Sequence, residues 1–435
     1  MNRNTKLGAG LAAFIAAALA WSATHDEPQG PTAQQRAAAA AQARTRARLT
    51  QLAPAKRRDI DYAALDARFR RMAAKPNMVG MAVGIVEQGR ITFLSGYGET
   101  MAGSGEPVTP ETVFRWASVS KGVASTMVAK LAEQGKFSLG QPVATLAPSL
   151  QLPNGAQSSA TLTDVLSHRL GLYRNAFDNK LEEGQSAASL RRNLFTLSGL
   201  CAPGTCWSYQ NVAYDAASEV VEKATGRRYG DVVKQQLFDP IGMTSASVSR
   251  AGLQSARSWA RAHSVGRRPI EVNDIYYGVP AAGGINSDIK DMSLWMLAQM
   301  GEMPAVLSPK LLDTIHAPLV ATPNERGRMR KFLERLDDPM YGLGWRSYTY
   351  AGHRIVGHRG GVNGYRSLIL FDLKLKSGVV ALWNSNTSQP GALEFEVMDM
   401  VYHLPFRDWM ELDKGGPATI SPVVEAVDSS SGDRH

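Results

Sequence analysis

The sequence predicts a mixed α/β fold of the α+β kind, with one antiparallel sheet built from both chain ends, flanked by helices, and a helical region inserted between those ends. Three observations carry this. Two β-rich runs lie early in the chain, at 79–87 and 90–96, and three more lie late, at 354–358, 367–373 and 378–383. The stretch from about 121 to 340 between them reads as mainly helix and loop. Consecutive strands usually lie side by side, and the shortest way to pair all five runs is a single sheet.

The first segment, 1–23, has the pattern of a signal peptide. Arg3 and Lys6 precede a 14-residue apolar run from Leu7 to Ala20, and Ala18-Leu19-Ala20 and Trp21-Ser22-Ala23 offer small residues for cleavage. A buried N-terminal helix is the rival reading, but no face of that run would suit water. The expected location is therefore exported, in the periplasm or cell envelope, with retention as an N-terminal membrane anchor the variant. Residues 24–58 form a linker rich in Ala, Gln and Arg, with helix formers but no apolar face.

Order is expected from residue 59 to 410. Tyr62, Leu65 and Phe69 recur at helical spacing. The two early strands are separated by Gln88-Gly89, a hairpin signal. Helices are expected at 123–134, 162–167, 212–225, 229–238 and 289–300, bounded by Gly, Pro and Asn. The last two strands are joined by Lys374 to Ser377, and a helical run over 392–403 closes the domain. Residues 411–435 read as a polar, Ser-rich, disordered tail.

Charge narrows the function classes. The formal net charge is +9, but +7 of it sits in residues 1–58, leaving +2 for everything after. A nucleic-acid-binding domain carries its basic excess on the folded body, so no nucleic-acid partner is expected. The leader is read as a solvated linker, with weak contact to anionic lipid or envelope polymer as the alternative. The two cysteines, Cys201 and Cys206, are a candidate disulfide in an oxidising compartment, with two free thiols as the rival reading. Zinc-ligand spacing is missing from the sequence, so no metal is expected.

Three motifs bear reactive side chains. Ser118-Val119-Ser120-Lys121 precedes a helical run. Residues three apart share a helix face, so Lys121 Nζ can reach Ser118 Oγ and take its proton. The helix N-terminus also favours negative charge developing there. Tyr209-Gln210-Asn211 supplies a phenol that can serve as general base between two cations, and an amide that can hold both Lys121 and a substrate. His358-Arg359-Gly360-Gly361 lies on an expected strand, where glycines allow a substrate to approach the backbone. The amide of Gly361 with that of Ser118 can make an oxyanion hole. Taken singly, each motif has an ordinary structural reading: a surface pair, a buried tyrosine with a capping asparagine, a satisfied core histidine.

Together and in this order they resemble the serine β-lactamase and penicillin-binding-protein superfamily, whose signatures are S-x-x-K, S-D-N and K-T-G. The branch resembled is that of class C β-lactamases, family VIII carboxylesterases and D-amino-peptidases, in which Y-x-N replaces S-D-N and histidine often replaces the K-T-G lysine. Supporting stretches are Leu166-Ser167-His168-Arg169-Leu170-Gly171-Leu172, Leu237-Phe238-Asp239-Pro240-Ile241-Gly242-Met243 and Tyr341-Gly342-Leu343-Gly344-Trp345. The likeness spans about residues 60 to 405 and implies a β-lactamase/transpeptidase-like fold. It implies that Ser118 is acylated, that Lys121 and Tyr209 move its proton, and that Asn211 orders the cluster. His358 would stand where the K-T-G lysine stands, and Gly360 and Gly361 would line the substrate strand. No cofactor is implied.

Class A enzymes deacylate with a glutamate on a separate loop; Glu182 and Glu183 lie in a stretch without that motif, so water activation falls to Tyr209. Two departures bear on substrate. Histidine at 358 is only partly protonated near neutral pH, and Arg359 replaces a small hydroxyl residue, adding a carboxylate fork or obstructing the pocket. The expected substrate is a small-molecule or cell-wall-derived β-lactam or D-amino-peptide amide. Small carboxylic esters are the alternative, and a non-catalytic ligand-binding module is the reading from another class.

Overall fold

The computed structural model describes residues 60–413. The expected signal peptide, the linker and residues 414–435 lie outside the described residues. Helix α1, Tyr62–Ala73, begins where the Asp61 side chain accepts from the Ala64 amide. Strands β1, Gly80–Glu87, and β2, Arg90–Gly98, follow as a hairpin. Gln88 and Gly89 both have positive φ, 51° and 74°, the geometry of a tight turn that matches strand twist.

The central helix α2, Ser120–Glu133, is buried on nearly every side. Short helices follow, among them α3, Asp178–Glu182, and then α4, Ala216–Thr225. Helix α4 starts four residues later than periodicity suggests, because Asn211, Tyr214 and Asp215 are tied to neighbours through their side chains. The single turn α5, Pro280–Gly283, precedes α6, Ile289–Gln299, which packs on β1.

The sheet then resumes with β3, Val320–Ala321, β4, Leu336–Tyr341, β5, Arg346–Tyr350, β6, His353–Val362, β7, Tyr365–Asp372, and β8, Ser377–Trp383. Its order is β2-β1-β8-β7-β6-β5-β4-β3, antiparallel throughout. The two chain ends meet where β1 pairs with β8, Val83 opposite Ala381. Helix α7, Leu393–Val401, closes the fold.

Alternation along the strands makes two cores. Met81, Val83 and Ile85 join Leu65, Phe69, Phe395 and Met398 on the face covered by α1 and α7. Ala82, Val86, Ile369 and Phe371 face the helical region with Val123, Met127 and Trp295.

Two expectations need correction. The region 121–340, expected as mainly helix and loop with no strand named in it, also holds β3 and most of β4. Strand β4 reads Leu-Asp-Asp-Pro-Met-Tyr, and its register slips between Asp337 and Met340, so its breakers sit at an irregularity. The polar tail also begins later than 411. Leu412 is buried, and Asp413 accepts from Arg68 on α1 at 2.7 Å, beside the Arg68–Glu396 pair.

Candidate active site

Ser118 lies half-buried in a single 3₁₀ turn, Ala117–Val119, that runs directly into α2. The turn is clamped from three sides. Phe114–Arg115 pairs with Asn286–Ser287, the Trp116 amide donates to Ile285 O at 2.8 Å, and Ser367 Oγ donates to Trp116 O at 2.5 Å. Ala117 is held at φ +48°, a conformation costly for a residue with a Cβ. On the sheet side, a Cβ at Gly360 would stand 2.3 Å from Trp116 O, so only glycine lets β6 come this close. Ser120 is fully buried, and its Oγ accepts from the Ile285 amide at 3.1 Å.

Lys121 is buried with three oxygen neighbours: Asn211 Oδ1 at 2.7 Å, Ala282 O at 3.0 Å and Ser118 Oγ at 3.5 Å. Two aspartates that the sequence did not single out set this geometry. Asp178 Oδ2 accepts from Asn211 Nδ2 at 2.7 Å. Burial raises the Asp178 carboxyl above its usual range, against the pull of Asn211 and Lys121. Asp215, paired with Arg191, accepts from the Ala281 amide at 3.0 Å and so places the carbonyl of Ala282. Nothing in the local pattern around Asp178 announces it.

Tyr209 is buried against cations. Lys121 Nζ lies 4.8 Å from its ring centroid, and the guanidinium carbons of Arg174 and Arg346 lie 5.4 and 5.8 Å away. Both arginines pair with Glu325. Neither stood out in the sequence, although Arg346 directly follows the quoted Tyr341–Trp345 stretch.

His358 is a satisfied buried histidine. The Gln210 amide donates to His168 Nδ1 at 3.2 Å, which puts the His168 proton on Nε2, directed at Tyr341 Oη 3.1 Å away. Tyr341 then donates to His358 Nε2 at 3.1 Å, and His358 Nδ1–H donates to Arg359 O at 2.7 Å. The network is complete only with both imidazoles neutral. Burial first, then Arg346 and Lys121, pushes His358 well below the usual histidine range; burial and Lys121 do the same for His168.

Arg359 does not face the pocket, as either a carboxylate fork or an obstruction. Strand alternation turns it to the opposite face of the sheet, where it pairs with Glu394 of α7 at 2.5 Å. Gly360 and His358 face Ser118's side. Strand β5 pairs with β6 only as far as Gly357, so from His358 to Val362 the edge of β6 carries no further strand among the described residues. Gly361 is exposed on that edge. Cys201 and Cys206 are joined in a disulfide, Cα atoms 6.3 Å apart, just ahead of the Trp207–Asn211 segment. A cavity of about 710 Å³ opens beside the edge, lined by Gly361, Val362, Tyr276, Glu182 and Arg115 among others. Glu182 and Glu183 are both exposed, and Glu182 accepts from Tyr276 Oη at 2.9 Å.

The beta-lactamase family model matches residues 65–399, which include all three motifs. The chain belongs to the beta-lactamase family. Curated relatives include an unguisins hydrolase of Aspergillus campestris (strain IBT 28561), 28% identical over 75% of this chain and 61% of that protein. Another is the D-alanyl-D-alanine-carboxypeptidase/endopeptidase AmpH of Escherichia coli (strain K12), 27% identical over 50% of this chain and 56% of that one. This chain thus spans about three fifths of the length of those relatives. Among solved structures, the octameric penicillin-binding protein homologue from Pyrococcus abyssi superposes with a TM-score of 0.72 at 21% identity, covering 79% of this chain and 78% of that one. That likeness bears on the fold alone.

Proposed function

We propose that the protein is a serine acyl hydrolase that cleaves amide bonds of D-amino-peptides or β-lactams through an acyl-enzyme on Ser118. The observation that carries this reading is Lys121 Nζ, 3.5 Å from Ser118 Oγ and held there by Asn211 and Ala282. Family membership and the carboxypeptidase relative support the reaction class.

In this mechanism Ser118 Oγ attacks the carbonyl carbon and its proton passes to the Lys121–Tyr209 pair. The amides of Ser118 and Gly361 receive the developing oxyanion. The C–N bond breaks as the amine takes the proton from the pair. Water then attacks the ester, its proton going to Tyr209, and Ser118 Oγ leaves reprotonated. The open edge of β6 gives a peptide backbone a strand to pair with. Asn211 orders the cluster, and His358 fills the K-T-G lysine position as a neutral spacer.

That neutrality favours one second reading, small carboxylic esters, because an uncharged acyl donor needs no cation at 358. The leader pattern supports export, with the mature chain beginning near residue 21 or 24 and the hydrolase domain following the basic linker.

The test is labelling with a fluorescent penicillin and with p-nitrophenyl acetate, followed by peptide mass spectrometry and the rate of label release. The adduct is expected on Ser118 and absent in Ser118→Ala. Ser120→Ala should keep the adduct while losing about 1–3 kcal/mol of stability, since it leaves the buried Ile285 amide unpaired. An adduct on any other residue, or none from either reagent, overturns the proposal.

A further inference from the structure

Arg115, three residues before Ser118, is only 3% exposed, and its Nε and Nη2 are buried with no hydrogen-bond partner among the described residues. A buried guanidinium left unpaired is rare, because its donors forfeit water without recompense. Its carbon lies 4.2 Å over the Tyr277 ring centroid, so the ring takes one face of the plane and leaves the in-plane N–H edges for an acceptor. It also lines the cavity of about 710 Å³ beside the open edge of β6, together with Gly361, Asn363 and Asn386.

Other charges near the site are already committed. Arg346 and Arg174 share Glu325, and Arg359 is bound to Glu394 on the far face. Arg366, on the same cavity, directs Nη1 to Val362 O, Tyr365 O and Asn386 Oδ1. His358 has both ring nitrogens occupied. Of the cavity's carboxylates, Glu182 is engaged by Tyr276 and Glu271 stands exposed at the rim; neither forms a salt bridge with Arg115 among the described residues.

We propose that Arg115 is the anion subsite of the cleft, receiving a carboxylate carried by the acyl donor and so selecting acidic over neutral substrates. The assignment rests on the acyl-hydrolase reading for its meaning, yet binding can be measured without turnover. A C-terminal peptide carboxylate and the ring carboxylate of a penicillin present the same two oxygens, and a guanidinium fork meets either in bidentate fashion.

The test is calorimetric titration of the full chain carrying Ser118→Ala. The probes are N-acetyl-D-alanyl-D-alanine against its C-terminal amide, and benzylpenicillin against its methyl ester. The expectation is at least tenfold tighter binding of one acid than of its neutral partner, and the probe pair that shows it identifies the source. Adding Arg115→Gln should cut that acid's affinity about 10–100-fold, as for a lost charge-assisted pair. Arg115→Lys should recover part of it, and is read alone if the glutamine variant fails to fold. Equal binding of acid and neutral probes, no binding of either acid, or a preference that survives Arg115→Gln and disappears in Arg366→Gln overturns the assignment. Acid binding by Ser118→Ala, with neither acylation nor turnover of any probe by the unsubstituted chain, would instead count against the hydrolase reading.

Discussion

Asp178 Oδ2 accepts a hydrogen bond from Asn211 Nδ2 at 2.7 Å, and this contact decides which end of the Asn211 amide meets Lys121. With the NH₂ group spent on the carboxylate, Oδ1 is left to accept from Nζ. Replacing the carboxylate by methyl removes the orienting acceptor and frees the amide to flip.

Asp178→Ala should therefore slow acylation about 10–100-fold with little change in KM, matching Asn211→Ala. The double variant should be no slower than either single one, because the two side chains act as one device. Stopped-flow acylation of the three variants checks this; additive losses would mean that Asp178 acts elsewhere.

Tyr341 bridges His168 and His358, each at 3.1 Å, and is fully buried. Tyr341→Phe strands one donor and one acceptor at about 1–3 kcal/mol each, so unfolding in urea should show a loss of about 2–6 kcal/mol. The same chain fixes opposite tautomers, Nε2–H in His168 and Nδ1–H in His358. Nitrogen NMR of the imidazoles should show both in neutral form at pH 7.

These bridges explain what the sequence could and could not disclose. Ser118, Lys121, Tyr209 and Asn211 were legible because their spacing is short and their side chains are reactive. Asp178 and Arg346 were not, and Tyr341 was read only as part of the Tyr341–Trp345 stretch, because each acts on a partner that only the fold brings near. Two of them also sit where strands went unrecognised: Tyr341 ends β4, whose Asp-Asp-Pro run hides a strand at a register slip, and Arg346 opens β5. Arg359 was misdirected for a simpler reason. Naming it beside His358 ignored the alternation that sends neighbouring strand residues to opposite faces. The ends of the fold were the easiest part, since β1, β2, β7 and β8 are apolar runs with clear turns between them.

His316 gives a pH signature independent of the active site. It is buried between Trp345 and Phe371, with Nε2 on Gln299 Oε1 at 3.0 Å, and burial, followed by Arg354, pushes it down to about 3. Its value in an unfolded chain is about 6.5. The unfolded state thus takes up a proton first, so the stability tied to neutral His316 is present above about 6.5 and lost as pH falls toward 3. Asp215, raised to about 6 by burial, works in the opposite sense, losing stability as pH rises through 6. A difference measurement is therefore needed. Between pH 6 and 4.5, urea stability of the wild type should fall more steeply than that of His316→Gln, by about 1 kcal/mol per pH unit. Parallel slopes would mean that His316 does not stay neutral.

The base that turns over the acyl-enzyme is the most exacting test of the proposed mechanism. Lys121, Arg174 and Arg346 pack around the Tyr209 ring, 4.8, 5.4 and 5.8 Å from its centroid. Tyr209→Phe removes the phenol oxygen and keeps the ring that the cations pack on, so stability should change by no more than about 1 kcal/mol. Loss of one general base typically costs about 10²–10⁴-fold. Deacylation should slow by that range, and acylation should slow too, because the same oxygen helps take the Ser118 proton. Glu182 is the serious rival, since its carboxylate lines the adjoining cavity and is held by Tyr276. Glu183 is an exposed control. Pre-steady-state acylation and deacylation, on a p-nitrophenyl ester and a chromogenic cephalosporin, compare Tyr209→Phe, Glu182→Gln and Glu183→Gln. Wild-type deacylation in Tyr209→Phe together with a stalled acyl-enzyme in Glu182→Gln would transfer the water-activating role to Glu182. A stall in Tyr209→Phe alone leaves Tyr209 as the group that meets the water.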